Sequence, residues 1–451
     1  MTNKLLFLIP KRTNRLIYIL NHFCNTQWGV EVDYVVDKEE FISYDGPKIH
    51  YGFSALGDEM FIAAEQLLFV RGIEEQELAF GEYLDLPSMF PTYNRDSILN
   101  FDILAASFFL ISRYEEYLPF IKDKYGRFPA QNSIAYQNKF LQKPMIDIWA
   151  LDLASKIKLK FEELEFSLPE YSFTPSIDID AAFAMKHKGT LRTMGGYIKN
   201  LRDLNVEEMK QRTRVILDKE KDPFDTFDFL FETHIKYKLK PLFFILFAAY
   251  GTNDKNTPTY NRKFRDLVAY IADNSDVGIH PSFTSNSVSG KLKKEIKNLS
   301  IAIHSEITKS RQHFLVLHMP ITYRNLINLN ITDDYSMGYA QEIGFRASTS
   351  RPFLFYDLEM EYTTSLRIHP FAVMEGTLRD YQSLNVEEAY QAFCKIIDEV
   401  KAVQGSFISL WHNESVSDKK RWLGWRDLYI RMIEKALPEN KVDIGKEDGE
   451  L

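Results

Sequence analysis

SIDID, Ser176 to Asp180, ends an apolar run and places two aspartates one residue apart. Side chains alternate between the faces of a β-strand, so Asp178 and Asp180 would point the same way, about 6.6 Å apart. Two like charges this close raise each other's pKa unless a positive group lies between them. The pair is consistent with a metal ligand beside a catalytic base, or with a solvated strand end in which Asp180 is the N-cap of a helix.

Strand and helix patterns alternate on the C-terminal side of this stretch. Four runs predict strands: PLFFILFA (241–248), VGIH (277–280), HFLVLH (313–318) and SFISLWH (406–412). The first is continuously apolar, which is typical of a buried parallel strand. Helical patterns separate the runs, among them SGKLKKEIKNLSIAIHSEITKS (289–310). This alternation predicts an α/β fold with a parallel sheet or barrel.

Polar side chains fall at the ends of these predicted strands, where α/β folds place their chemistry. They are the SIDID aspartates, His280 after VGI, His412 after SFISLW, and His313 and His318, which bracket HFLVLH. One histidine at a strand end is more often a hydrogen-bonded structural residue than a ligand. Several histidines together with a D-x-D pair favour a site. Imidazole nitrogen and carboxylate oxygen suit zinc or a similar divalent ion.

The length of the chain, 451 residues, predicts more than one domain. We expect an N-terminal α/β domain of unknown role over 1–165, a second domain over 166–440 and a polar tail over 441–451. In the first domain FDILAASFFLISRYEEYLPF (101–120) and PMIDIWALDLASKIKLKFEEL (144–164) predict helices. Arg113, Glu115 and Glu116 in the first of these predict a solvated helix face with internal ion pairs.

The overall composition excludes several classes of protein. A net charge of -8 offers no basic field for nucleic acid. Two cysteines, Cys24 and Cys394, form no disulfide framework and suit a reducing compartment. The apolar run Leu5 to Ile9 is too short for a signal-peptide core, and no stretch has the length of a transmembrane helix. These features predict a cytoplasmic protein without a membrane span, and they leave the oligomeric state open.

The motifs together resemble those of the polysaccharide deacetylases of the NodB-homology type (carbohydrate esterase family 4-like), over roughly residues 173–437. A more specific resemblance is to a bacterial subgroup with an extra N-terminal domain, on the stretches GIHPSF, SRQHFL, DDYSMGYA, GFRASTSRPF and FFLISRYEEY. The resemblance implies an irregular (β/α) barrel preceded by a smaller α/β domain. It also implies that Asp178 is the catalytic base, Asp180 and His280 are metal ligands, and His412 is the catalytic acid.

The sequence departs from the family pattern at Thr284, where the family has a second ligand histidine. His313 is the expected substitute as third ligand, and the alternative is a buried histidine bound to Asp180 or to a carbonyl. Arg311 and Arg346 compete for the family's arginine that orients the catalytic aspartate. The alternative for Arg346 is an ordinary salt bridge to Asp357 or Glu359.

The resemblance implies a metal-dependent hydrolase that removes N-acetyl groups from a saccharide. It requires one divalent ion, expected to be zinc, with cobalt or nickel as alternatives. Two other functions stay open at this point. The D-x-D pair is also the signature by which glycosyltransferases hold a nucleotide-sugar through a metal. Thr284 also fits a catalytically impaired, carbohydrate-binding relic of the deacetylase fold.

Overall fold

A computed structural model describes residues 3–438 of the chain. The β-strands are β1 Lys4–Leu8, β2 Glu31–Val35, β3 Lys48–Gly52, β4 Phe61–Ala63, β5 Phe80–Tyr83, β6 Leu86–Met89, β7 Ser172–Ile179, β8 Leu242–Ile245, β9 Asp276–Ile279, β10 Lys309–Ser310, β11 Asp333–Asp334, β12 Phe353–Asp357, β13 Tyr362–Ile368, β14 Val373–Met374 and β15 Ser406–His412. The α-helices are α1 Asn14–Asn21, α2 Lys38–Ser43, α3 Ile103–Ile111, α4 Ile134–Gln137, α5 Met145–Lys160, α6 Thr190–Arg202, α7 Val206–Ile216, α8 Phe227–Lys236, α9 Arg262–Asn274, α10 Lys291–Ile303, α11 Ile321–Ile327, α12 Val386–Ala402 and α13 Trp425–Ala436.

The N-terminal part contains a four-stranded parallel sheet of order β2-β1-β3-β4. The helix predicted over 101–120 is shorter than expected, because α3 ends at Ile111 and Arg113 has a left-handed backbone. A short 3-10 turn, Tyr114–Tyr117, follows. The prediction of a solvated face is wrong, since Arg113, Glu115 and Glu116 are buried. Their internal ion pairs are present, with Arg113 bridging the two glutamates at 2.6 and 2.8 Å.

The C-terminal part contains a nine-stranded sheet of order β12-β13-β11-β10-β9-β8-β7-β15-β14. Neighbouring strands are parallel except for the antiparallel pair of β12 and β13. The α/β prediction is confirmed, but the sheet formed by residues 172–412 is open, so the expected irregular (β/α) barrel is not confirmed. Helix α1 packs against the hairpin of β12 and β13, where the Tyr18 hydroxyl donates to the Leu354 carbonyl at 2.8 Å.

Three of the four predicted strand runs form strands β8, β9 and β15. HFLVLH does not, because Phe314 and Leu315 have left-handed backbones that no strand ladder accepts. His313–Leu315 is a 3-10 turn, and the strand at this point is the two-residue β10 just before it. Asp180 does not cap a helix, since nine residues separate it from α6, whose N-cap position is Gly189.

Buried side chains of both parts of the chain form one contiguous hydrophobic core, from Leu5 in β1 to Leu437 after α13. The boundary near residue 165 remains a prediction, and the predicted polar tail lies outside the described residues. Among residues 3–438 no helix is long and apolar enough to cross a membrane.

Candidate metal and active site

The carboxyl ends of neighbouring parallel strands bring four predicted residues to one edge of the sheet. Asp178 in β7 is in register with His412 at the end of β15 and with Phe244 in β8. His280 directly follows β9, which pairs with β8 in parallel. Asp180 follows β7 by one residue. Parallel pairing therefore brings together side chains that are far apart in sequence. Asp178 and His412, for example, are separated by 234 positions.

Asp180, His280 and His313 form a group that could hold a cation. One ligand atom of each lies within 4.8 Å of the other two. His280 Nε2 is 3.2 Å from Asp180 Oδ1, and His313 Nε2 is 3.4 Å from Asp180 Oδ2. Although His280 Nε2 is near, Asp180 Oδ1 is buried and accepts no hydrogen bond of good geometry among residues 3–438. One carboxylate and two imidazoles are a usual donor set for zinc, so these residues fit a divalent ion.

Both histidines are held through their second ring nitrogen. His280 Nδ1 donates to the Arg311 carbonyl at 2.5 Å. His313 Nδ1 donates to Asp254 Oδ1 at 3.0 Å. Such bonds fix the orientation of the ring and direct Nε2 of each histidine toward the Asp180 carboxylate.

The electrostatics of this group favour a bound cation. Burial acts to raise the pKa of Asp180, but the surrounding histidines, His313 above all, hold it well below its usual value. Burial acts to lower the pKa of His313, but the carboxylates of Asp180 and Asp254 outweigh it and raise the pKa to about 9. Asp180 is therefore ionised at neutral pH, and the negative charge that attracts a proton to His313 also attracts a metal ion.

Asp178 is paired with Arg311. The Arg311 Nη1 donates to Asp178 Oδ1 at 2.9 Å, and both side chains are buried. Arg311 Nε donates to the Tyr335 carbonyl at 3.0 Å, and its guanidinium lies 4.4 Å from the centre of the Phe244 ring. His280 Nε2 is 3.8 Å from the other carboxylate oxygen of Asp178. The Asp178 carboxylate is thus fixed in position beside His280.

His412 faces the same group from the end of β15. Its Nε2 is 3.8 Å from Asp180 Oδ2. Glu375 Oε1 accepts from the His412 ring Nδ1 at 2.8 Å and from its backbone N–H at 2.9 Å. Burial acts to lower the pKa of His412, but Glu375 and the two aspartates raise it well above its usual value. The ring is therefore set up to carry a proton.

Two residues singled out in the sequence lie elsewhere. Arg346 does not reach Asp178, because its guanidinium donates to both carboxylate oxygens of Glu116 at 2.8 and 2.6 Å. Its alternative partners, Asp357 and Glu359, pair with Arg324. Thr284 is exposed, and its hydroxyl accepts from Lys291.

Sequence reasoning missed Asp254 and Glu375, which hold His313 and His412. Glu375 directly follows β14, and its position at a strand end could have identified it, but the two-residue strand gives no readable pattern. Asp254 lies in the loop GTNDKNTP after β8, where acidic residues are common. His318, which brackets HFLVLH, instead contacts the Gly126 carbonyl and has no place in the group.

A cavity of about 280 Å³ opens above these side chains. Besides the group itself, its wall contains Phe314, Leu315, Tyr381, Arg421 and Trp422. Aromatic and aliphatic faces beside polar groups are usual for a small-molecule site. The other two tryptophans near His412, Trp411 and Trp425, are packed in the core and do not line the cavity.

Residues 5–162 match a family model described as "Family of unknown function (DUF7033)". The match spans the predicted first domain and leaves the site outside it. No curated protein matches the chain.

Solved structures similar to this chain include carbohydrate-processing proteins. One, from Mycobacterium smegmatis, is assigned as a polysaccharide deacetylase; it is 11% identical, with a TM-score of 0.38, over 59% of this chain and 83% of that one. The polysaccharide deacetylase of Bacillus cereus is 12% identical, with a TM-score of 0.28, over 60% and 93% of the two chains. A carbohydrate esterase family 4 pseudoenzyme from Bacillus anthracis is 11% identical, with a TM-score of 0.27, over 59% and 60%. These TM-scores are low, so the function proposed below rests on the geometry of the site.

Proposed function

We propose that this protein is a metal-dependent hydrolase that removes N-acetyl groups from a saccharide. The observation that carries the proposal is the convergence of Asp180, His280 and His313 beside the arginine-bound carboxylate of Asp178, with His412 facing the same point. The resemblance of SIDID, VGIHPS and SLWH to deacetylase motifs supports the same chemistry. We expect zinc as the ion, with cobalt or nickel as alternatives.

Each residue has a distinct part in this proposal. A bound divalent ion would polarise the acetamide carbonyl and lower the pKa of a water molecule. Asp178 would accept the proton of the attacking water, and Arg311 would hold its carboxylate in place for that transfer. His412 would donate a proton to the departing sugar nitrogen, with Glu375 holding the ring by Nδ1. The products would be acetate and a free amino sugar.

Glycosyl transfer is less well supported by the same geometry. A D-x-D pair that holds a nucleotide-sugar does not need two histidines at the ion or a third one, His412, held by a buried glutamate. The alternative of a catalytically impaired relic is less well supported, because His313 lies beside Asp180 and His280 and offers a third ligand in place of Thr284.

The test is acetate release from N-acetylated oligosaccharides by the full-length protein. We expect activity as purified or after addition of zinc, loss on dialysis against a chelator, and recovery on addition of zinc, cobalt or nickel. Elemental analysis of the same samples should give about one ion per chain. A protein that binds no ion under any of these conditions would sink the proposal. If the protein binds the ion but releases no acetate, only the metal-binding part of the proposal is retained.

A further inference from the structure

A second cavity adjoins the one above the site. It encloses about 530 Å³ and lies between the loop after SIDID, helix α7 and the segment 414–422. Glu414, Arg421 and Trp422 belong to the walls of both cavities. A chain of sugars bound at the site could therefore continue into this second space, with Trp422 at the junction.

Positive charge dominates the wall of the second cavity. Five cationic and two carboxylate side chains line it: Lys188, Arg212, Lys419, Lys420, Arg421, Glu208 and Glu414. Glu414 is bound by Arg421 at 2.5 Å, and Glu208 is bound by Lys420. Both carboxylates of the wall are thus already paired.

Lys188 and Arg212 are the cations of this wall that have no acidic partner. Among the described residues neither forms a hydrogen bond or an ion pair, and the buried Nε of Arg212 has no acceptor. Burial lowers the pKa of Lys188 to about 8; the cations Arg192 and Arg212 act in the same direction, and the carboxylates of Asp222 and Glu414 act against it. Lys188 and Arg212 repel each other and neither has a directly bound carboxylate, so an anion between them would relieve that repulsion.

We propose that this cavity binds an anionic group of the saccharide, a carboxylate, sulfate or phosphate, while the acetamide of a neighbouring sugar is hydrolysed at the site. The inference rests on the proposed function for its choice of a saccharide. Guanidinium and ammonium groups bind such anions through charge-assisted hydrogen bonds. Trp422 belongs to the walls of both cavities, so a sugar that bridges the two positions would lie beside its edge.

Binding of matched oligosaccharides by calorimetry tests the proposal without any turnover. The first probe alternates N-acetylglucosamine and glucuronic acid, and the second is the same oligosaccharide with its carboxyl groups reduced to alcohols. We expect the acidic probe to bind about 10-fold more tightly, the value of one charge-assisted hydrogen bond, and to lose that advantage at high salt. Equal affinity for the two probes would overturn the proposal.

Substitutions then locate the anion. Lys188→Met and Arg212→Met should each remove most of the preference for the acidic probe and leave binding of the reduced probe unchanged. Lys199→Met is the matched control, since Lys199 is exposed on α6 and does not line the cavity. Arg212→Lys, which keeps the charge, should retain more of the preference than Arg212→Met. If the Met variants have native circular dichroism spectra but their affinity for both probes falls by the same factor, the result would contradict an anion subsite.

Sulfated and phosphorylated probes identify which anion is preferred. The outcome is separable from that of the proposed function, because binding and acetate release are measured independently. Tight, charge-dependent binding without acetate release would retain the subsite and reject the deacetylase. Acetate release from acidic and reduced probes with equal KM would retain the deacetylase and reject the subsite.

Discussion

Asp178 and Asp180 differ in their partners although they stand two positions apart in the chain. Asp178 is buried against Arg311, whereas Asp180 faces three histidines and opens to the cavity. The charge of a carboxylate that is paired with a guanidinium is already compensated, so this carboxylate attracts a metal ion less strongly. A side chain surrounded by imidazoles suits a ligand. The two carboxylates should therefore fail in different ways when neutralised.

We expect Asp178→Asn to keep the metal and lose activity, and Asp180→Asn to lose both. The first variant loses the proton acceptor, which is worth roughly 10²–10⁴-fold in rate. The second replaces a charged ligand with a weaker neutral one. Metal content by elemental analysis and acetate release are measured on the same preparations, with each variant as the control of the other. If both variants bind metal as the wild type does, Asp180 is not a ligand.

His234, which lies outside the site, makes the free energy of unfolding depend on pH. It is buried between α8 and α13, with Nε2 2.7 Å from the Tyr429 hydroxyl, and burial lowers its pKa to about 3. A depressed pKa on a base means that the unfolded chain binds the proton more tightly. Stability is then fully present above the unfolded pKa of about 6.5 and is lost as the pH falls toward 3.

We expect His234→Gln to flatten the loss of unfolding free energy at acidic pH. Glutamine can still contact Tyr429 but takes up no proton in this range. The slope between pH 6 and 4 should decrease by up to about 1.4 kcal/mol per pH unit, the contribution of one proton. Urea unfolding at several pH values measures it. An unchanged slope would show that His234 is not among the groups that take up protons.

Some residues of the site could be predicted from the sequence, and others could not. Asp178, Asp180, His280 and His412 could be located because each ends a strand with a readable apolar pattern. Asp254 could not, because it lies in a loop and reaches His313 across 59 positions. Nothing in the local sequence distinguishes it from a solvated aspartate. The contact exists only once β8 and β10 have been placed in one sheet.

At the scale of elements, the loop after β7 depends on one distant carboxylate. Asp222 accepts hydrogen bonds from the backbone N–H groups of Ala184, Met185 and Lys186, at 2.7 to 2.9 Å. This loop leads directly from the SIDID aspartates toward Lys188. These three hydrogen bonds hold the loop in place of a helix or strand. A loop that is held by a distant side chain has no periodic pattern in its own sequence.

We expect Asp222→Ala to destabilise the protein by about 1–3 kcal/mol, because buried N–H donors lose their acceptor. Metal affinity should fall as well, since Asp180 begins the loop that becomes mobile. Thermal unfolding and a metal titration measure the two effects. Asp203→Ala, at an exposed position after α6, is the control and should change neither. Native stability in Asp222→Ala would show that the loop is held by its packing.

At the scale of the whole molecule, buried polar contacts join the two parts of the chain. Arg346 binds Glu116 through two hydrogen bonds, and the Asp147 carboxylate accepts from the side chains of Thr349 and Ser350. Sequence patterns indicated a solvated face at Glu116, because a charged run after a helix is usually exposed. Its partner lies 230 positions away and has no local signature.

These contacts predict that the two parts unfold together. Glu116→Gln should lower the free energy of unfolding of the entire chain by about 3–5 kcal/mol, because it leaves Arg346 buried without a full counter-charge. Arg346→Met should cost a similar amount, and the double variant should cost less than the sum. Urea unfolding followed by tryptophan fluorescence and by metal release measures this in one sample. Asp33→Asn, in the exposed pair with Lys4, is the control and should change little. If Glu116→Gln shifts only one of two separate transitions and metal release is unaffected, the parts are independent domains, and the cut near residue 165 separates two folding units.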